Sequence, residues 1–107
     1  MSLTLGMILE ARERLKGVAQ RTGLVQFKAL SDEESQIYLK TEDLQSTGSF
    51  KLRGAYIKIA SLSSEERACG VIASSAGTHA QGVAMAARMF DTPATIVMPA
   101  GAPLSKV

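Results

Sequence analysis

Cysteine is almost absent from this chain of 107 residues. Cys69 is the only one, which excludes an internal disulfide framework and any Cys-x-x-Cys metal spacing. There is also a single histidine, His79, with no second histidine and no nearby cysteine to complete a ligand set. A metal site is therefore not expected, and starting a helix is the role expected of His79. Tryptophan is missing and aromatic residues make up 5% of the chain, which leaves little for stacking on bases. The 12 basic and 10 acidic side chains alternate in sign and leave a net charge of +2, with no clustered basic face, so nucleic acid is not an expected partner. No apolar run is long enough to cross a bilayer and no secretory signal is seen, so no membrane role is expected and the expected compartment is the reducing cytoplasm.

What is present is the composition of a soluble globular protein, 46% hydrophobic and 21% charged, at a length of at most one ordinary domain. Residues 3–17 have helical periodicity, with Met7, Ile8, Ala11 and Leu15 on one face and Gly17 as a stop. This helix is expected to pack against the main body. Residues 24–27 and 36–40 read as short strands. Between them Ser31-Asp-Glu-Glu34 has the spacing of a capping box but reads as a solvated loop. Residues 41–48 read as a loop.

That loop leads into Ser-Thr-Gly-Ser-Phe-Lys-Leu-Arg-Gly-Ala at 46–55, where a single lysine, Lys51, follows a small flexible run. Leu52, Ala55, Tyr56 and Ile59 fall at i, i+3, i+4 and i+7, an apolar helical stripe running to about Ser61, with Ser49 placed as its N-cap. Lys51 then lies in the first turn. There the positive end of the helix dipole, together with Arg53, is expected to favour the neutral and nucleophilic amine. Such an amine can form a Schiff base with a carbonyl compound. Taken alone, a lysine is more often an ordinary solvated surface charge.

The second half carries stronger signals. Ser63-Ser-Glu-Glu66 is another capping-box match, opening a short helix to about Ala68. Residues 70–74 form a compact apolar run of the kind buried on both faces of a parallel sheet. A turn of small residues, Ser75, Ala76, Gly77 and Thr78, leads into a helix from about His79 to Phe90 whose apolar face is Ala80, Val83, Ala84, Ala87 and Phe90. Residues 94–98 are a second buried strand. Strand, small turn, helix and strand make a βαβ unit, and hence an open α/β sheet, in which ligands bind at the carboxyl ends of strands beside helix N-termini. The 75–78 turn occupies that place. On its own it is equally an ordinary strand-to-helix connection.

Two stretches together are far more specific than either alone. Ser-Phe-Lys-Leu-Arg-Gly-Ala at 49–55, followed by Ser-Ala-Gly-Thr-His-Ala-Gln-Gly at 75–82, resembles the fold-type-II pyridoxal-phosphate enzymes, and among them the threonine and serine dehydratases. Leu-Lys-Thr-Glu at 39–42, Leu-Gln-Ser-Thr-Gly at 44–48 and Met-Pro-Ala-Gly-Ala-Pro-Leu-Ser-Lys at 98–106 agree with it. The resemblance implies the N-terminal part of the open three-layer α/β architecture shared with the tryptophan synthase β chain. Residues 1–40 would belong to the larger domain and residues 41–107 would begin the smaller one. It implies pyridoxal 5'-phosphate as cofactor, a small hydroxy amino acid as substrate, a homo-oligomer and a place in amino-acid metabolism. Lys51 matches the lysine that holds the cofactor and later moves the substrate's α-proton. Phe50 matches the aromatic residue packed on the pyridine ring. Ser75, Ala76, Gly77, Thr78 and His79 match the loop that cradles the substrate carboxylate, with Thr78 also facing the cofactor.

This chain departs from the family pattern in two places. Thr78 stands where the family has an asparagine that contacts the cofactor's phenolic oxygen, and it offers one hydroxyl on a shorter arm. Family members are also several-fold longer, and no glycine-rich phosphate cradle occurs in these 107 residues. The chain therefore reads as a fragment of a dehydratase, expected to be inactive alone. A serine racemase-like enzyme and a non-catalytic module that associates with another chain are the alternatives.

Overall fold

The structure is a computed structural model and describes residues 2–103. The first helix, α1 (Leu5–Arg14), is capped by Thr4, whose Oγ1 accepts from the Met7 amide at 3.3 Å. It is shorter than the periodicity predicts and buries none of its residues. The expected packing of its apolar face is overturned, since Met7 and Ile8 are exposed. Of the predicted stripe only Leu15, just beyond the helix, is buried.

Two short strands follow, β1 (Leu24–Gln26) and β2 (Tyr38–Lys40), paired antiparallel with Val25 opposite Leu39. The acidic run between them does not cap an α-helix. Asp32 Oδ1 instead accepts from the Glu34 and Ser35 amides at 3.0 and 2.6 Å, the side-chain turn that aspartate favours in loops. The loop predicted at 41–48 contains one 3₁₀ turn, Glu42–Leu44.

The core lies in the second half. Helix α2 (Lys51–Ala60) buries Leu52, Ala55 and Ile59, the predicted stripe, while Tyr56 stacks on Phe90 with ring centroids 4.9 Å apart. Helix α3 (Ser64–Cys69) has the complete capping box. Ser63 Oγ accepts from the Glu66 amide at 3.2 Å, and the Glu66 carboxylate accepts from the Ser63 amide at 2.8 Å. Strand β3 (Val71–Ser74) pairs parallel with β4 (Ala94–Val97), Ile72 opposite Thr95, and helix α4 (Thr78–Met89) makes the crossover. The predicted βαβ unit is therefore present.

Helices α2 and α4 share one core of Leu52, Ala55, Ile59, Val83, Ala86 and Ala87, against which Val71, Ala73 and Ile96 of the sheet pack. Two expectations are corrected here. Ala84 is exposed, and the α4 face that packs inward carries Gly82 and Ala86 instead. Strand β3 is covered on one face only. Val71 and Ala73 meet the helices, whereas Ile72 is 75% exposed, because no second layer lies on its side among the described residues. The result is α/β, in the form of the N-terminal portion of a fold-type-II architecture.

Two glycines test this packing in opposite directions. Gly54 is exposed within α2 and a Cβ there meets nothing within 4 Å. Gly70 ends α3 at φ +86°, and a Cβ there falls 2.9 Å from the Pro93 carbonyl oxygen. Gly54→Ala is expected to raise stability by about 0.5–1 kcal/mol through helix propensity. Gly70→Ala is expected to lower it by at least about 1–2 kcal/mol. Denaturant unfolding measures both, and equal effects at the two sites would contradict the local geometry.

Candidate active site

Lys51 opens α2. The backbone dihedrals place the N-cap at Phe50 rather than at the predicted Ser49. Ser49 still does the chemistry of a cap, because its buried Oγ accepts from the Lys51 amide at 3.1 Å. The lysine side chain is half-buried, and Nζ lies 4.7 Å over the centroid of the Phe50 ring, which is 57% exposed. An amine and an open aromatic face therefore stand side by side at the head of a helix.

Arg53 is engaged by Glu42 rather than by any group at Lys51. Arg53 Nε and Nη2 donate to the two oxygens of Glu42, each at 2.8 Å, and Nη2 also donates to the Gln20 carbonyl at 3.0 Å. The guanidinium charge is balanced there. Gln45, itself buried, makes a two-way amide pair with the Gln20 backbone at 3.1 and 2.6 Å. Together these bonds fasten the segment before Lys51 to the first turn of α2. Glu42 was within a family-like motif, but only its partnership with Arg53 gives it a role, and no periodicity in the sequence reveals a pairing across an irregular loop.

The loop at 75–79 begins where β3 ends. The Ser75 amide donates to the Val97 carbonyl at 3.0 Å, and Ser75 Oγ accepts from the Gly77 amide at 3.2 Å. Helix α4 starts at Thr78, so the amides of Thr78 and His79 belong to a first turn without intrahelical acceptors, where the dipole favours an anion. Ser75, Ala76, Gly77 and Thr78 are half-buried. His79 is exposed and borders an open apolar groove of about 510 Å³ that runs along Gly54, Leu62 and Ile72. Lys51 is not part of that groove's lining.

The two halves meet through Gly82. A Cβ at Gly82 would lie 2.9 Å from the Lys51 carbonyl carbon, so α4 rests directly on the lysine's backbone. Further along both helices Tyr56 meets Phe90, so α2 and α4 run the same way and their N-termini lie together. Thr78, four residues before Gly82, is on the same α4 face one turn nearer the loop. The geometry brings Phe50, Lys51 and the 75–79 loop to one end of the βαβ unit, at the carboxyl end of β3. Gly82 is the contact position that sequence reasoning passed over, although it closes the Ser-Ala-Gly-Thr-His-Ala-Gln-Gly stretch.

A family model described as pyridoxal-phosphate-dependent enzyme matches residues 15–107. The chain belongs to the pyridoxal-phosphate-dependent enzyme family. It is 60% identical over 106 residues to an L-threonine ammonia-lyase of Thermotoga maritima, covering 98% of this chain and 26% of that protein. It is 48% identical over 101 residues to an L-threo-3-hydroxyaspartate ammonia-lyase of a Pseudomonas species, covering 94% and 32%. A serine racemase of maize superposes with a TM-score of 0.88 at 34% identity, over 99% of this chain and 32% of that one. The chain thus spans between a quarter and a third of the length of the proteins it matches.

The donor set can be tested against the cofactor. An amine beside an open aromatic face suits an aromatic aldehyde, and the half-buried α4 N-terminus beside it suits a carboxylate. Among the described residues no glycine-rich turn is placed for the phosphate. The residue set fits the ring and aldehyde end of the group. The Leu-Ser-Lys end of the last family-like motif, at 104–106, lies outside the described residues.

The Glu42–Arg53 pair makes a pH prediction. The Arg53 guanidinium holds the Glu42 carboxyl at about 2, well below the ordinary 4.5, with the Thr22 hydroxyl assisting against the opposing effect of burial. A depressed folded value stabilises above the unfolded one, so this contribution is complete above about 4.5 and is lost as pH falls through about 2. Glu42→Gln is expected to remove about 1.5–3 kcal/mol at neutral pH and to flatten the acid decline. Unfolding midpoints measured from pH 6 to 2 check this, and identical declines in both proteins would contradict it.

Proposed function

We propose that this chain is the N-terminal part of a pyridoxal-phosphate-dependent ammonia-lyase that converts L-threonine to 2-oxobutanoate and ammonia, with serine as a second substrate. The observation that carries this reading is the 60% identity to an L-threonine ammonia-lyase across nearly the whole chain. It is supported by the placement of Lys51 and the 75–79 loop at one end of the same α/β unit. The relatives named above act, by their names, on threonine, 3-hydroxyaspartate and serine. All three are amino acids with a hydroxyl on the β-carbon, which is the leaving group this reaction needs.

Lys51 would hold the cofactor covalently, with Phe50 against its ring and the Thr78 hydroxyl toward its phenolic oxygen. When bound, the cofactor supplies an electron sink for negative charge at the substrate's Cα. Ser75 Oγ and the amides of Thr78 and His79 hold the substrate carboxylate. The Lys51 amine, when not bonded to the cofactor, would take the α-proton as general base. The β-hydroxyl leaves as water, and water returns when the product enamine is hydrolysed, so the net products are the 2-oxo acid and ammonia. The same reading assigns residues 1–40 to the larger domain and residues 41–107 to the smaller one, supported by their separate sheets. It also includes a cytoplasmic homo-oligomer.

A second reading, racemisation of serine, is favoured by the close superposition on the maize enzyme. It uses the same lysine and loop and differs in its product.

Borohydride reduction of the full-length enzyme is expected to fix the cofactor on the peptide containing Lys51, and Lys51→Ala to lower turnover at least about 10²-fold. Label on another lysine would sink the assignment. Incubation with L-threonine is expected to yield 2-oxobutanoate, whereas D-serine from L-serine without 2-oxo acid would move the reading to racemisation. Thr78→Asn is expected to tighten cofactor binding, by up to the about 1–3 kcal/mol that a buried polar contact is worth. Unchanged affinity would mean that threonine already makes the contact.

A further inference from the structure

We infer that Gly82 is a positioning residue for Lys51: its missing side chain lets α4 seat on the lysine's backbone and so sets where the amine stands relative to the 75–79 loop. The inference rests on the reading of Lys51 as the cofactor lysine. A Cβ at Gly82 would lie 2.9 Å from the Lys51 carbonyl carbon, 3.0 Å from the Leu52 amide nitrogen and 3.2 Å from the Lys51 Cβ. The first two are backbone atoms in the opening turn of α2, and the Leu52 side chain is wholly buried, so nothing flexible can swing aside.

The demand is local to the lysine. Val83, Ala86 and Ala87 carry side chains into the same α2–α4 core, and Gly54 and Gly77 have open space where a Cβ would go. Glycine is not favoured for its own sake inside a helix, where it is worse than alanine. Ordinary contact at Gly82 would need 3.4–4 Å in place of 2.9 Å, so a methyl there displaces the Lys51 backbone by about 0.5–1 Å. Thr78 and the loop are carried by α4 itself, so that displacement falls between the amine and the groups it must work with. A misplacement on the order of 1 Å costs about 10²-fold in rate when reacting groups must be aligned.

The test compares three variants of the full-length enzyme. Gly82→Ala adds the methyl against Lys51. Ala86→Val strains the same helix pair further from the lysine, and Gly54→Ala adds a methyl to α2 in open space. Gly82→Ala is expected to lower kcat about 10–100-fold while KM changes less than about 3-fold. It is also expected to change, several-fold, the rate at which a small amine reagent labels Lys51 in the cofactor-free enzyme. Ala86→Val, compared at an equal or larger loss of thermal midpoint, is expected to leave that labelling rate unchanged, as is Gly54→Ala. The proposal is overturned if Gly82→Ala leaves kcat and labelling as they were, or if Ala86→Val reproduces its effects. Should Gly82→Ala not fold, amide exchange in the unsubstituted enzyme decides. Adding pyridoxal phosphate is expected to slow the Gly82 and Leu52 amides together, and an unchanged Gly82 amide overturns the proposal. If borohydride fails to label Lys51, the functional reading fails instead, and the cofactor-free labelling rate still judges the packing claim.

Discussion

The contact between the α4 backbone at Gly82 and the α2 backbone at Lys51 is the constraint on which the rest depends. Helices whose side chains interdigitate ordinarily stay 8–10 Å apart. Here the absence of a single Cβ lets them close up at one point, and that point is the first residue of α2. The hydrophobic core beyond it, from Leu52 to Ile59 and from Val83 to Ala87, supplies the free energy that keeps the helices together. The site at their N-termini borrows its rigidity from that core.

Polar bonds do the remaining work on the other side of Lys51. The chain enters α2 through an irregular loop, which by itself would leave the lysine at the end of a mobile segment. Glu42 and Gln45 prevent this by bonding to Arg53 and to the Gln20 backbone, and Ser49 takes the lysine's own amide. These are half-buried or buried groups that are fully paired, the arrangement in which polar contacts specify a conformation rather than weaken it. Lys51 is thus held from one side by packing and from the other by hydrogen bonds.

Much of this was legible in the residues. The α2 stripe, the Ser63 capping box, the βαβ order and the loop of small residues before α4 follow from periodicity and turn chemistry, and the structure has each of them. Three features were not legible, for separate physical reasons. The exposure of α1 and of Ile72 depends on what lies across from an apolar face, which periodicity does not encode. The Arg53–Glu42 pair spans a loop, where spacing carries no information about contact. The swap of Ala84 for Ala86 on the α4 face is a rotation of the helix about its axis, and a run so rich in alanine leaves that rotation unmarked. Gly82 illustrates the same limit. Its glycine is visible in the sequence, but the reason for it is a backbone on another helix.

The central claim is that Lys51 and the start of α4 form one site, and a short cross-link measures that directly. In an enzyme carrying Thr78→Cys, with Cys69→Ser and every other cysteine of the full-length protein replaced, a short amine-to-thiol reagent should join the introduced thiol to Lys51 in preference to every other lysine. Peptide mass mapping identifies the joined pair. A dominant link to Lys51 is the result this account predicts. Linkage spread over exposed lysines such as Lys40 and Lys58, with Lys51 left unmodified, would contradict it.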